Sequence, residues 1–284
     1  MEHKLEFIQP GLYTSLQDQG RTLGRNWGVP QGGAMDRLSA RRANLKLNNA
    51  PNLPVLEITG IGPTLRAHGN GQLALAGASI TVFQNQHKLD NPERINFQDG
   101  DILKFGNTTE GFRTYLSIKN GFKTKELFGS VSAIAGISSA LRFKKGDLLF
   151  FEPTTPLPTT NARLKKPLLF QDKTIITKAG PEYDLLSKDQ QSILKNATFT
   201  ISPTASRMAY SLTPKIDLLK HSISLLTSPV VPGVVQLTPA GKLIVLMRDA
   251  QTTGGYPRVL VVTEAGLDRL GQMRGGEELV LRIS

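Results

Sequence analysis

Apolar and polar positions alternate with period two over residues 55–59, 72–76, 79–83, 101–105 and 113–118, which predicts a series of short, half-buried strands. Turn signals separate them at Gly69-Asn70-Gly71, Gln98-Asp99-Gly100-Asp101 and Asn120-Gly121, so antiparallel barrels or sandwiches are expected rather than βαβ units. The pattern changes once in this half. Asp36 can cap a helix in which Leu38, Arg42 and Leu45, then Ala40, Ala43 and Leu47, fall near one stripe, ending at Asn48-Asn49 before Pro51. In the second half Ser187 and Gln190 form a capping-box pattern ahead of Ile193 and Leu194. Strands are predicted at 198–201, 222–226, 234–237, 242–247, 258–262 and 278–283, with a last helix near 264–273.

Between these halves Pro153, Pro156, Pro158 and Pro167 stand among threonines, a stiff extended stretch that predicts an interdomain linker over 153–167. The expected organisation is a β-barrel domain over 1–152, carrying the 28–36 loop and its helix, and a second over 168–284. A chain of 284 residues is long for one core, which agrees with two.

Composition narrows the chemistry. There is no cysteine, so disulfides, thiolate metal sites and a cysteine nucleophile are excluded. The four histidines, His3, His68, His87 and His221, show no paired spacing, so no metal is expected. The net charge of +11 is divided evenly, +5 over residues 1–152 (18 basic, 13 acidic) and +6 over 153–284 (16 basic, 10 acidic), without the interleaved aromatics of a single-strand binder. It predicts a solvated surface suited to a small anionic substrate, not nucleic acid. No apolar leader or membrane-length run occurs, so a cytoplasmic location is expected. A P-loop is absent, and Gly69-Asn70-Gly71-Gln72-Leu73-Ala74, which fits a loose dinucleotide pattern, is followed by strand alternation and reads as a hairpin turn.

Polar side chains and glycine concentrate in four segments. One is the turn Gln17-Asp18-Gln19-Gly20-Arg21. Another is the loop 28–36, whose amides and following helix N-terminus could form an anion site involving Asp36, Arg37 and Arg41, against an even alternative in which Asp36 merely caps. A third holds Arg207 and Tyr210 in a serine-rich turn. The last, 249–258, joins two aliphatic strands through Asp249, Gln251, Thr252, Thr253, Gly254, Gly255, Tyr256 and Arg258, more polar groups than a hairpin needs, so it is expected to bind a ligand.

These residues resemble the family of the bacterial 5-oxoprolinase C-type subunits, also described as allophanate hydrolase subunit 2 and as part of the urea amidolyase carboxyltransferase domain. The likeness rests on Gln17-Asp18-x-Gly20-Arg21, Gly28-Val29-Pro30-x-x-Gly33-x-Met35-Asp36, Leu56-Glu57-Ile58-Thr59-x-x-Gly62-Pro63-Thr64-Leu65, Ser206-Arg207-Met208-x-Tyr210 and Gln251-Thr252-Thr253-Gly254-Gly255-Tyr256-Pro257. It implies a mainly β fold of two cyclophilin-like barrels, each with one or two helices. It also implies one component of a hydrolase that works with a B-type β-barrel partner and a larger A-type partner, opening 5-oxoproline to glutamate with ATP. Under that reading Asp249 and Tyr256 are the catalytic candidates. Asp36, Arg37, Arg41, Arg207, Tyr210, the 251–255 stretch and Arg258 are candidates to bind substrate. Two alternatives stand beside it. One is a carboxyltransferase acting on urea or an amide with biotin carried by another chain; the other is a non-catalytic regulatory binding protein. The chain departs from the family pattern at Val131, where an arginine is usual, at Ser206 and at Ala240.

Overall fold

The computed structural model describes residues 2–90, 92–153, 172–214, 223 and 225–284. The expected linker lies almost wholly outside the described residues, as does part of the strand expected at 222–226. Two compact units form, Met1–Thr22 with Gly32–Pro167, and Leu23–Gln31 with Leu168–Ser284. The 28–36 loop, expected within the first domain, is therefore divided between them.

The first unit is a nine-stranded, curled sheet: β1 (Lys4–Gln9), β2 (Tyr13–Gln17), β3 (Val55–Thr59), β4 (Thr64–His68), β5 (Gly71–Gln84), β6 (His87–Leu89), β7 (Arg94–Phe97), β8 (Ile102–Ile118) and β9 (Leu148–Phe150), with helix α1 (Arg37–Leu45) after β2. Four of the predicted strands merge into two. β5 and β8 run unbroken past Gly77, Gly106 and Gly111, and their pairing slips at three places between Gly77 and Val82. These irregularities read as breaks in the sequence pattern, but in the sheet they are bulges that bend a continuous ladder. One edge of β8 pairs with β4 near its start and with β3 near its end, while β5 covers the other edge, which curls the sheet around an apolar core including Phe7, Leu65, Phe105 and Leu116. Each such fully buried side chain contributes roughly 1.5–3 kcal/mol.

Helix α1 starts as predicted. The Asp36 carboxylate accepts from the Ser39 N–H at 2.9 Å and from the Ser39 hydroxyl at 2.5 Å. The expected single stripe divides: Ala40, Ala43 and Leu47 are buried, whereas Leu38 and Leu45 are exposed. Small residues let α1 approach the sheet at Val55 and Tyr115.

The second unit is a closed seven-stranded barrel of β10 (Thr174–Ala179), β11 (Thr198–Ile201), β12 (Ala209–Pro214), β14 (Val234–Leu237), β15 (Leu243–Leu246), β17 (Arg258–Val262) and β18 (Glu278–Ile283). The short strands β13 (Ser228–Pro229) and β16 (Thr253–Gly254) pair apart from it. Helix α2 (Lys188–Asn196) carries the predicted capping box, with Gln190 N–H donating to Ser187 Oγ at 3.2 Å and Ser187 N–H to Gln190 Oε1 at 3.1 Å. Helix α3 (Glu264–Leu270) is capped by Thr263. The ring closes through the parallel pair β10–β18. Among the described residues no helix is long and apolar enough to cross a membrane.

Candidate functional site

In the first unit the turn 17–21 and the segment 130–132 are one assembly. The Asp18 carboxylate accepts from Gly20 N–H (2.7 Å), Ser130 Oγ (2.7 Å), Ser132 Oγ (2.6 Å) and Val131 N–H (2.8 Å). Arg21, 4% exposed, donates through Nη2 to the Ser132 carbonyl at 2.7 Å. Gly33 packs on this turn with φ +96°, and a Cβ there would stand 2.9 Å from the Gly20 nitrogen. Only glycine meets both demands.

The glycine loop then runs into a buried polar network that sequence reasoning missed. Met35 N–H donates to Glu57 Oε2 at 2.7 Å, Asp36 N–H to the Tyr115 hydroxyl at 2.8 Å, and that hydroxyl to Glu57 Oε2 at 2.9 Å. Arg113 faces the same carboxylate, Nε to Oε1 at 3.7 Å. Burial, then the charges of Glu57 and Asp36, holds the Tyr115 phenol well above its ordinary pKa, so it remains a donor. This corrects the expected anion site. Ala34 N–H is taken by the Asp18 carbonyl, Met35 and Asp36 N–H by Glu57 and Tyr115, and the helix start by Asp36 itself. The amides at the helix end of the loop are thus engaged by a backbone carbonyl, a carboxylate and a phenol, and Asp36, fully buried, caps the helix. Arg37 is half-buried, and exposed Arg41 donates to Gln19 Oε1 at 3.0 Å. The alternation over 55–59 sets Glu57 with Thr59 on the face expected to be polar, so the sequence pattern carried no sign of its burial.

In the second unit Arg207 and Asp249 form a two-pronged ion pair, Nε to Oδ2 and Nη2 to Oδ1 both at 2.8 Å, with side chains only 9% and 12% exposed. The Asp249 N–H also donates to the Arg207 carbonyl at 2.9 Å. Asp249 is thus a brace between β12 and the 249–258 loop, not the free acid-base group expected, and Arg207 is held by it. Arg258 at the loop's other end is equally engaged, giving Nε and Nη2 to Glu182 at 3.0 and 2.7 Å. Tyr210 is 1% exposed in the barrel wall. Gln251, Thr253 and Tyr256 are exposed, Thr252, Gly254 and Gly255 half-buried. Gly254 lies against the Gln236 amide, where a Cβ would come within 2.5 Å of Nε2, and that nitrogen is buried with no hydrogen-bond partner among the described residues. Buried Arg248, also unforeseen, ties Glu264 and Asp268 of α3 to the end of β15 at 3.0 and 3.2 Å. At the loop, then, the charged ends are engaged in ion pairs and the centre is exposed or half-buried.

The Arg258 guanidinium holds Glu182 below its ordinary pKa of 4.5, chiefly by hydrogen bonding. A depressed carboxylate pKa means that the pair stabilises the fold at neutral pH and that this contribution is lost as pH falls through the lowered value. Glu182→Gln should therefore narrow the gap to wild type in melting temperature as the pH is taken from 7 to below about 4, and a gap constant across that range would show that the pair does not stabilise the barrel.

The described residues thus form two β-rich units, one a curled sheet and one a closed barrel. The chain belongs to the family described as carboxyltransferase domain, subdomain A and B, whose profile matches residues 27–283. It is 33% identical to the C-type subunit of 5-oxoprolinase from Escherichia coli strain K12 over 280 residues, covering 97% of this chain and 89% of that one. A putative urea carboxylase of Emericella nidulans is 30% identical over 99% of this chain, which spans 24% of that relative. Among solved structures the fold is similar to urea amidolyase of K. lactis, TM-score 0.87 and 29% identity, over 98% of this chain and 18% of that one. It is also similar to TTHA0988, TM-score 0.86 and 27% identity, over 99% of this chain and 56% of that one. The relatives thus include a component of 5-oxoprolinase and a urea carboxylase, which supports a role as an enzyme component.

Proposed function

We propose that the chain is one component of an ATP-dependent 5-oxoprolinase, opening the lactam of 5-oxoproline to glutamate together with a β-barrel partner and a larger one. The observation that carries this reading is similarity: the C-type 5-oxoprolinase subunit is 33% identical over 97% of this chain and 89% of that relative, against 30% for the urea carboxylase relative. ATP is then bound by the assembled complex, and the exposed centre of the 249–258 loop is free to complete a site shared with a partner.

The second reading, a biotin-dependent carboxyltransferase acting on urea or an amide, is favoured by the family description and by the likeness to urea amidolyase. It requires carboxybiotin carried on another chain. Mixing the purified chain with its partner subunits should give ATP-dependent release of glutamate from 5-oxoproline, with no turnover by the chain alone. Turnover by the single chain would remove the shared site, and a complex that instead carboxylates urea would establish the second reading.

A further inference from the structure

The first unit contains a cavity of about 190 Å³ that none of the expected site residues touches. Its volume lies below the roughly 300–1,000 Å³ of sites for drug-sized ligands, so its occupant is a small molecule. Three cations, Arg21, Lys125 and Arg142, line it against a single carboxylate, Asp147, which already accepts from the Lys144 N–H at 2.7 Å. Arg21 is 4% exposed and anchored on the Ser132 carbonyl at 2.7 Å, so one guanidinium is held in place inside the protein before any ligand arrives. Lys125 and Arg142, also in the lining, are exposed. Val131, where the family resemblance has an arginine, is part of the same wall.

In the wall, Val131 N–H is bound by Asp18, Ala133 N–H by the Leu16 carbonyl at 3.0 Å and Phe143 N–H by the Thr14 carbonyl at 2.9 Å. Apolar surface from Leu16, Leu141 and Phe143 stands beside the cations. A fixed guanidinium beside apolar wall matches a planar carboxylate on a short carbon skeleton.

We propose that this cavity binds a small carboxylate, held by Arg21 inside and by the exposed Arg142 and Lys125. The inference rests on the 5-oxoprolinase reading only for the identity of that carboxylate, which would be the acid group of 5-oxoproline. The test titrates the full chain with 5-oxoproline, the neutral lactam 2-pyrrolidinone, lactate, succinate and inorganic phosphate, following binding by calorimetry. The variants Arg142→Gln and Lys125→Gln change exposed side chains and spare the fold, and their melting temperatures serve as the control. Saturable binding of 5-oxoproline is expected, at least tenfold weaker for 2-pyrrolidinone and at least tenfold weaker in the double variant. Binding of lactate or succinate with the same dependence on Arg142 and Lys125, but none of 5-oxoproline, would uphold the carboxylate site and separate it from the 5-oxoprolinase reading. If no carboxylate binds, if phosphate binds more tightly than every carboxylate, or if the double variant binds like wild type, the proposal is wrong.

Discussion

Asp249→Asn should lower the stability of the second unit by about 3 kcal/mol, because it leaves the Arg207 guanidinium buried without its counter-charge. The carboxylate closes two 2.8 Å bonds with that guanidinium where both side chains are about nine-tenths buried. Asparagine keeps the shape and one acceptor but not the charge. At about 4 °C per kcal/mol for a unit of this size, the midpoint should fall by roughly 10 °C or more. Replacing both partners, Arg207→Met with Asp249→Leu, should recover much of the loss, since neither charge then remains to be solvated. This separates a structural brace from a reacting group. An Asp249→Asn protein that melts with wild type while its complex loses activity would return Asp249 to the catalytic account.

Glu57→Ala should be at least as damaging in the first unit, by about 3–5 kcal/mol. It deletes the acceptor of the Met35 amide and of the Tyr115 hydroxyl, and it removes the carboxylate facing Arg113, all at a position with no solvent exposure. Unmet buried donors cannot turn to water there. The loss should also be local. Amide exchange at Met35 and Asp36 should quicken far more than at the core strand β8, because the glycine loop is fastened to the sheet through Glu57 and Tyr115. Glu57→Gln keeps an acceptor and should fall between the two. Equal protection of Met35 in Glu57→Ala and wild type would mean that the loop is held by something else.

The sequence by itself determined where the elements lie and how they begin. Asp36 and Ser187 announce their helices, and the strands at 198–201, 234–237, 258–262 and 278–283 coincide with the predicted ones. Caps and alternation depend on residues at most a few positions apart, so local pattern is enough to read them. The family, too, was legible, because its glycine-centred loops demand backbone conformations that other residues resist, as at Gly33. What the loops do was not. Polar density in 249–258 and in 28–36 is the same in sequence whether a side chain faces a ligand or braces the fold. Only the structure shows Asp249 folded back onto Arg207, 42 residues away, and the Met35 amide bound by Glu57 from the next strand. The merging of strands into β5 and β8 and the closure of the barrel by a parallel β10–β18 pair belong to the same class. Each depends on register between distant segments, which is decided by which pairing buries the most apolar surface while leaving no buried charge or amide unmatched, a condition on the whole chain that no local window contains.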